Sequence, residues 1–213
     1  MKFTAKGRHY EIDNLGVINQ TDHHPYKYND DYAAIYDRPE YTRQSEILQA
    51  MRLGFACAAH SKEIISLSDC GYGNGAFIKF AKQYIRYVYG FDVTGVPVDG
   101  CYIVPELVKS DVLCFWDTLE HIPDLSFLKD LPHETICISL PYCHLITEGK
   151  EWFANEYKHF KPDEHVHHFT PHSLANLMNF YGWKETARSG HEDIVRKSTH
   201  GLQNILSMAF KRK

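Results

Sequence analysis

Residues 67–77 read LSDCGYGNGAF: an apolar run that closes on Asp69, then Gly71, Gly73 and Gly75 at alternate positions, then the apolar start of a helical pattern. A tight turn needs one glycine, occasionally two, because glycine reaches positive φ without steric cost. Three at the end of a strand imply a backbone that turns sharply and approaches a ligand, as at the carboxyl ends of strands in parallel α/β sheets. Gly71, Gly73 and Ala76 also satisfy G-x-G-x-x-A, the relaxed dinucleotide fingerprint. The glycines alone therefore leave every adenosine-bearing cofactor open, nicotinamide and flavin included.

The surroundings of this turn have the rhythm of an α/β domain. EIISLSD before it is a strand, and Ala76, Phe77, Phe80, Ala81, Tyr84 and Ile85 make one face of the helix after it. YVYGFD, DVLCFWD and TICISLP are further strands without strict polar alternation, as expected where crossover helices bury both faces of a mostly parallel sheet. Upstream, Ile47, Leu48, Met51 and Phe55 recur at helical spacing and predict a helix over 43–60. Downstream, Thr170 and Pro171 supply an N-cap and a first-turn proline, Gly182 closes that helix, and Leu174, Leu177, Met178 and Tyr181 face the sheet. WKETARS and NILSMAF are two last strands, predicted to pair antiparallel at one edge. Before all of these, RHYEIDNLGVINQ reads as a hairpin turning at Asp13, Asn14 and Gly16.

With 213 residues the chain suits one domain with decorations. A net charge of −4, with Lys and Arg scattered, offers no footprint for a nucleic-acid backbone. The six cysteines form no C-x-x-C pair, and most lie in apolar runs, which points to a reducing compartment and away from a thiolate zinc site. No stretch has the apolar core of a signal peptide or the length of a membrane span, so a cytoplasmic protein is expected.

A second strand ends at Asp92 in GFD, where an acid suits the two hydroxyls of a ribose. With that acid in place the sequence resembles the class I S-adenosylmethionine-dependent methyltransferases. LSDCGYGNGAF is similar to their first motif, with Asp69 two residues before the first glycine. GFD matches the second-strand acid, and DVLCFWDTLEHIPD resembles the fourth-strand segment of the small-molecule branch, with its Leu-Glu-His signature at Leu119, Glu120 and His121. EHVHHFTPHSLANLMNFYGWK is similar to the stretch that closes the substrate side of that branch. The resemblance runs from about residue 63 to the C-terminus.

It implies a Rossmann-like three-layer sandwich with a mostly parallel seven-stranded sheet and an antiparallel edge strand. It divides the chain into an N-terminal extension or lid over 1–42 and a methyltransferase domain over 43–213. It implies S-adenosyl-L-methionine as cofactor, with Asp69, Gly71, Tyr72, Gly73, Gly75, Asp92, Val93, Trp116 and Asp117 in its site and Phe115 nearby. The family usually places a helix, a third strand and an adenine-contacting acid between the second and fourth strands. Here only VTGVPVDGCYIVPELVKS joins Asp92 to Asp111, so the third strand, CYIV, is short and no adenine acid is assigned.

Methyl transfer from a sulfonium is an in-line displacement, which needs a base only when the acceptor arrives protonated. Histidine suits that task near neutral pH. His121, His165 and His167 are the catalytic candidates, the last two from the segment KHFKPDEHVHHFTPH, which also holds His159, His168 and His172. Three readings stay open for that segment: a metal site with Asp163 and Glu164, a base or clamp on the substrate, or capping of the following helix. No metal ligand is assigned. Tyr28 and Tyr32 are candidates for a lid over the pocket, beside the plainer reading that the tyrosines of the extension pack it onto the domain.

A small-molecule acceptor of unspecified identity is expected, with neither nucleic acid nor membrane as partner. Two other functions compete: a cofactor-binding regulatory module without catalysis, suggested by the short third strand, and a nicotinamide-dependent oxidoreductase, suggested by G-x-G-x-x-A but lacking a Tyr-x-x-x-Lys pair.

Overall fold

The computed structural model describes residues 1–26, 39–197 and 201–213, with residues 39–44 as backbone only. It begins with a meander of β1 (Lys2–Ala5), β2 (Arg8–Ile12) and β3 (Ile18–Gln20). Lys6 and Gly7, both at positive φ, turn β1 into β2, as a two-residue hairpin requires. The Asp13 carboxylate accepts the Leu15 and Val17 amides, both at 2.9 Å, and turns β2 into β3 at the expected place. The first strand, Lys2–Ala5, was not expected. The lid candidates Tyr28 and Tyr32 lie outside the described residues.

Helix α1 (Pro39–His60) then leads into β4 (Ser66–Cys70). The buried stripe of α1 is not the expected one. Ile47 is 48 % exposed and Leu48, Met51 and Phe55 are only half-buried, whereas Gln49, Arg52, Leu53, Ala56, Ala59 and His60 face inward. Ion pairs of Arg52 with distant acids turn the helix in this way. The short α2 (Ala76–Ala81) buries Phe77, Ile78 and Ala81, and Tyr84, expected on its inner face, is 66 % exposed beyond its end.

The main sheet continues with β5 (Tyr87–Phe91), β6 (Tyr102–Ile103), β7 (Val112–Trp116) and β8 (Thr135–Pro141). Helix α3 (Leu145–Asn155), broken by non-helical backbone at Gly149, precedes β9 (His167–His168). Helix α4 (Pro171–Phe180), β10 (Trp183–Ser189), the single turn α5 (Asp193–Arg196) and β11 (Ile205–Arg212) complete the chain. Thr170 caps α4 through a reciprocal box with Ser173, at 3.0 and 2.9 Å. Leu174 and Met178 are fully buried there, each contributing about 2 kcal/mol of burial.

The seven strands run in the order β10-β11-β8-β7-β4-β5-β6, parallel except for β11, which lies antiparallel between β8 and β10. The fold is thus the expected Rossmann-like α/β sandwich, with the antiparallel strand one place in from the edge. Its sequence explains the place: Ile205–Phe210 is buried throughout, while β10 alternates buried or half-buried with exposed residues, as an edge strand does. β7 sends Val112, Cys114 and Trp116 to the α1/α2 face and Leu113 and Phe115 to the α4 face. The third strand is two residues long, paired to β5 at Tyr89 and Gly90.

β9 pairs with β3, so the N-terminal meander becomes a four-stranded sheet, β1-β2-β3-β9, built partly from the segment before α4. Phe3, Tyr10, Ile18, Cys143, Phe153 and Tyr157 form its own apolar cluster against α3. This small sheet is joined to the chain just past β7, because Val166 donates to the Glu120 carbonyl (3.0 Å) and Gln20 donates to the Val166 carbonyl (2.9 Å).

Candidate functional site

The glycine turn sits at the carboxyl end of β4, beside β5. Gly71, Gly73 and Gly75 have φ of +78°, +56° and +76°, and an added Cβ at Gly71 would lie 2.4 Å from the Thr118 side chain. At Gly75 it would lie 2.6 Å from Val98. At Gly73 it would meet nothing within 4 Å, so here the bare backbone faces open space. The Gly73 amide donates to Asp92 Oδ2 at 3.1 Å, while Asp92 Oδ1 accepts the Thr94 amide and hydroxyl at 2.9 and 2.8 Å. The turn and the acid of the next strand are therefore one unit. Val93, beside Asp92, is 80 % exposed. Tyr72 is buried, with its hydroxyl donating to the Val96 carbonyl, and serves as the floor of this turn.

Asp69 lies behind the turn, buried, with Oδ1 lacking any hydrogen-bond partner. Burial pushes its pKa up to about 8 against the opposing pull of Arg52. Arg52 also places its guanidinium 5.3 Å from the centre of the Trp116 ring. Its own partners are Asp117 (2.7 Å) and Glu192 (3.0 and 3.1 Å). Arg196 of α5 reaches the same two carboxylates, at 2.7 and 2.8 Å for Asp117 and 3.1 Å for Glu192. Two arginines and two acids thus close a neutral network at the end of β7, where Asp117 holds a strained φ of +55°. Burial alone would raise the Asp117 carboxyl, but Arg196 and Arg52 together hold it well below the usual carboxylate range.

Three residues further on, the 3-10 turn Leu119–His121 carries a second constellation. The carboxylate of Glu120 is buried, and neither of its oxygens has a hydrogen-bond partner in another residue. His121 Nε2 is 3.9 Å from it, and the His121 ring stands edge-on to His165 at 4.6 Å between centroids. His165 is buried, with Nδ1 unpartnered and Nε2 4.0 Å from a Glu164 carboxylate that Lys161 holds at 2.9 Å. His159 and His168 stand next to His165, with ring centroids 6.3 and 6.4 Å away. Burial lowers the pKa of all four histidines, to about 4 for His159 and about 3 for His168, and raises that of Glu120, which the negative charge of Asp117 pushes further.

The structure brings His121 and His165 together but sends His167 elsewhere. Its Nδ1 meets Asn19 Oδ1 at 2.6 Å and its Nε2 meets the Ile122 carbonyl at 3.0 Å, so it ties β3 to the loop after β7. Asp163, weighed with the histidines as a ligand, pairs with Arg8 (2.6 Å) and accepts from Gln20 and the His24 amide. Sequence reasoning missed Arg52, Glu192 and Arg196, and gave Glu120 no role. The available signals were a glutamate next to histidine in an apolar run and an arginine between Met51 and Leu53.

No family model matches the sequence, and no curated protein matches it. Solved structures do. A methyltransferase dependent on S-adenosylmethionine from Clostridium acetobutylicum superposes with a TM-score of 0.57 at 9 % identity, over 86 % of this chain and 98 % of that one. The plantazolicin methyltransferase in complex with SAH gives 0.54 at 12 %, over 87 % and 91 %. Magnesium protoporphyrin IX methyltransferase from Synechocystis, with bound SAH, gives 0.53 at 13 %, over 89 % and 90 %. The strand order, with its antiparallel strand one place in from the edge, and these superpositions agree: the chain has the fold of the class I S-adenosylmethionine-dependent methyltransferases.

Proposed function

We propose that the protein is a methyltransferase that uses S-adenosyl-L-methionine and acts on a small-molecule acceptor. The observation that carries the reading is the bond from the Gly73 amide to Asp92, with open space over Gly73 and an unpartnered Asp69 oxygen behind it. These residues fit the cofactor. Asp69 Oδ1 is the natural partner of the α-ammonium, Asp92 suits the ribose hydroxyls, and the exposed Val93 offers an apolar face to adenine. Solved neighbours in the same fold bind SAH.

The sulfonium supplies an activated methyl group, and most of the catalysis available to the chain is alignment and exclusion of water. Trp116 and Asp117 close the end of β7, and the N-terminal sheet packs Tyr10 into a cluster of its own with Phe153 and Tyr157. We assign residues 1–42 to an N-terminal extension or lid and 43–213 to the methyltransferase domain. His121, 12 % exposed and with its pKa lowered by burial, is the member of the histidine cluster nearest solvent, where an acceptor that arrives protonated would meet the cluster.

Thermal shift tests the reading. S-adenosylhomocysteine is expected to raise the melting temperature of the wild type and not of Asp92→Ala, while NAD leaves both unchanged. A shift with NAD alone would replace the reading with an oxidoreductase. A shift with S-adenosylhomocysteine but no methyl transfer to any acceptor tried would favour the regulatory module.

A further inference from the structure

Glu120 poses an electrostatic problem that the rest of the site does not solve. It is 2 % exposed, and neither carboxylate oxygen has a hydrogen-bond partner in another residue. A carboxylate out of water must be paired, protonated or bound to a cation. The arginines nearby are committed elsewhere: Arg52 and Arg196 balance Asp117 and Glu192 one for one. Among the described residues no lysine or arginine lies within ion-pair distance of Glu120.

What does surround it is imidazole. Glu120, His121 and His165 each present a ligand atom, and the three atoms lie within 4.8 Å of one another. Ligands on one first-row ion, each about 2.0–2.2 Å from the metal, sit roughly 3–3.5 Å apart, so the three need to close by about an ångström. Their surroundings are those of a metal site. The His121 ring hydrogen-bonds to the Glu164 backbone, and the Glu164 carboxylate, steadied by Lys161, faces His165 Nε2 while the buried Nδ1 has no partner. Metal-binding imidazoles are held in this way, by a carbonyl or carboxylate on the nitrogen that does not bind. The two chain segments that carry the ligands are fixed to each other by the bond from the Val166 amide to the Glu120 carbonyl.

We propose that Glu120, His121 and His165 bind a divalent first-row transition ion, of the zinc or ferrous type, in a two-histidine, one-carboxylate site. Imidazole nitrogen disfavours Mg²⁺ and Ca²⁺, and the set has the donors of catalytic zinc and non-haem iron centres. Three protein ligands leave a coordination position for water or an acceptor oxygen, and His121 is the ligand nearest solvent. A hydroxyl or carboxyl acceptor bound there would lose its proton more readily, which extends the proposed transferase reading to oxygen nucleophiles.

The test uses the full chain without cofactor, so it stands or falls apart from the methyltransferase reading. The chain is stripped with chelator and titrated with Co²⁺ as a spectroscopic probe and with Zn²⁺ by calorimetry. One equivalent is expected, with visible Co²⁺ bands of nitrogen and oxygen ligation. Glu120→Gln and His165→Asn should each weaken binding by at least about a hundred-fold, and Glu164→Gln by about ten-fold. His172→Ala, outside the cluster, should leave it unchanged. Circular dichroism melts of the stripped variants separate loss of a ligand from loss of fold. Absence of stoichiometric binding by the folded wild type, or equal affinity in wild type and folded Glu120→Gln, overturns the proposal and identifies Glu120 as a buried neutral acid.

Discussion

Glu192 and Glu120 are both buried glutamates near the end of β7, and the fold treats them in opposite ways. Glu192 accepts from Arg52 twice and from Arg196 once, and although burial alone would raise its pKa, Arg52 outweighs that effect and leaves it lowered. Glu120 accepts from no other residue, and burial raises its pKa well above the usual range. A buried acid with its charge satisfied holds elements together, here α1 and α5 against the end of β7. A buried acid left unsatisfied costs stability, and a fold that keeps one has a use for its charge or its proton.

The comparison is easiest to break by isosteric replacement in the metal-free chain. Glu192→Gln leaves two arginines facing one remaining acid and should cost about 3 kcal/mol in urea unfolding. Glu120→Gln should change stability by less than about 1 kcal/mol, because a neutral amide replaces an acid whose neutral form burial favours and which accepts from no other residue. The reverse ranking would mean that Glu120 is the structural acid of the pair.

Thr118 joins the two regions, since its side chain packs under Gly71. Gly71→Ala combines positive φ with a 2.4 Å contact to Thr118 and should cost roughly 2–3 kcal/mol, partly recovered in Gly71→Ala/Thr118→Ala. Gly73→Ala has the φ strain without the contact and should cost about 1 kcal/mol. Equal costs in chemical denaturation would show that close packing is not what Gly71 is for.

The backbone parts of this molecule were legible in its sequence, and the side-chain constellations were not. LSDCGYGNGAF, GFD, the hairpin at Asp13 and the Thr170–Pro171 cap are local signals whose physics lies within a few residues. Apolar spacing points to Ile47 for the inward face of α1, whereas Asp117 and Glu192, 65 and 140 residues away along the chain, draw Arg52 inward instead. Helix α3 went unseen because Gly149 interrupts its pattern. The segment His159–His168 stands out in the sequence, but Glu120, whose carboxylate lies within 4.8 Å of a His165 ring nitrogen, reaches it only through the fold. His165 and His167 look equivalent in an H-x-H pair, yet β9 begins at His167 and the two rings part company.

Asp69 gives the most direct test of the central claim, that the glycine turn holds the amino-acid end of a sulfonium cofactor. With its pKa raised to about 8 by burial, Asp69 is largely protonated at pH 7 in the free protein, and its contribution to folding stability declines as pH rises from about 4 through 8. An α-ammonium placed against it favours the carboxylate, so binding at pH 7 must release a proton and affinity must rise with pH up to about 8. The measurement is calorimetry of S-adenosylhomocysteine at pH 7 in two buffers of different ionisation enthalpy. The account predicts binding with release of close to one proton, lost in Asp69→Asn. Binding with no buffer dependence, or no binding at all, contradicts it.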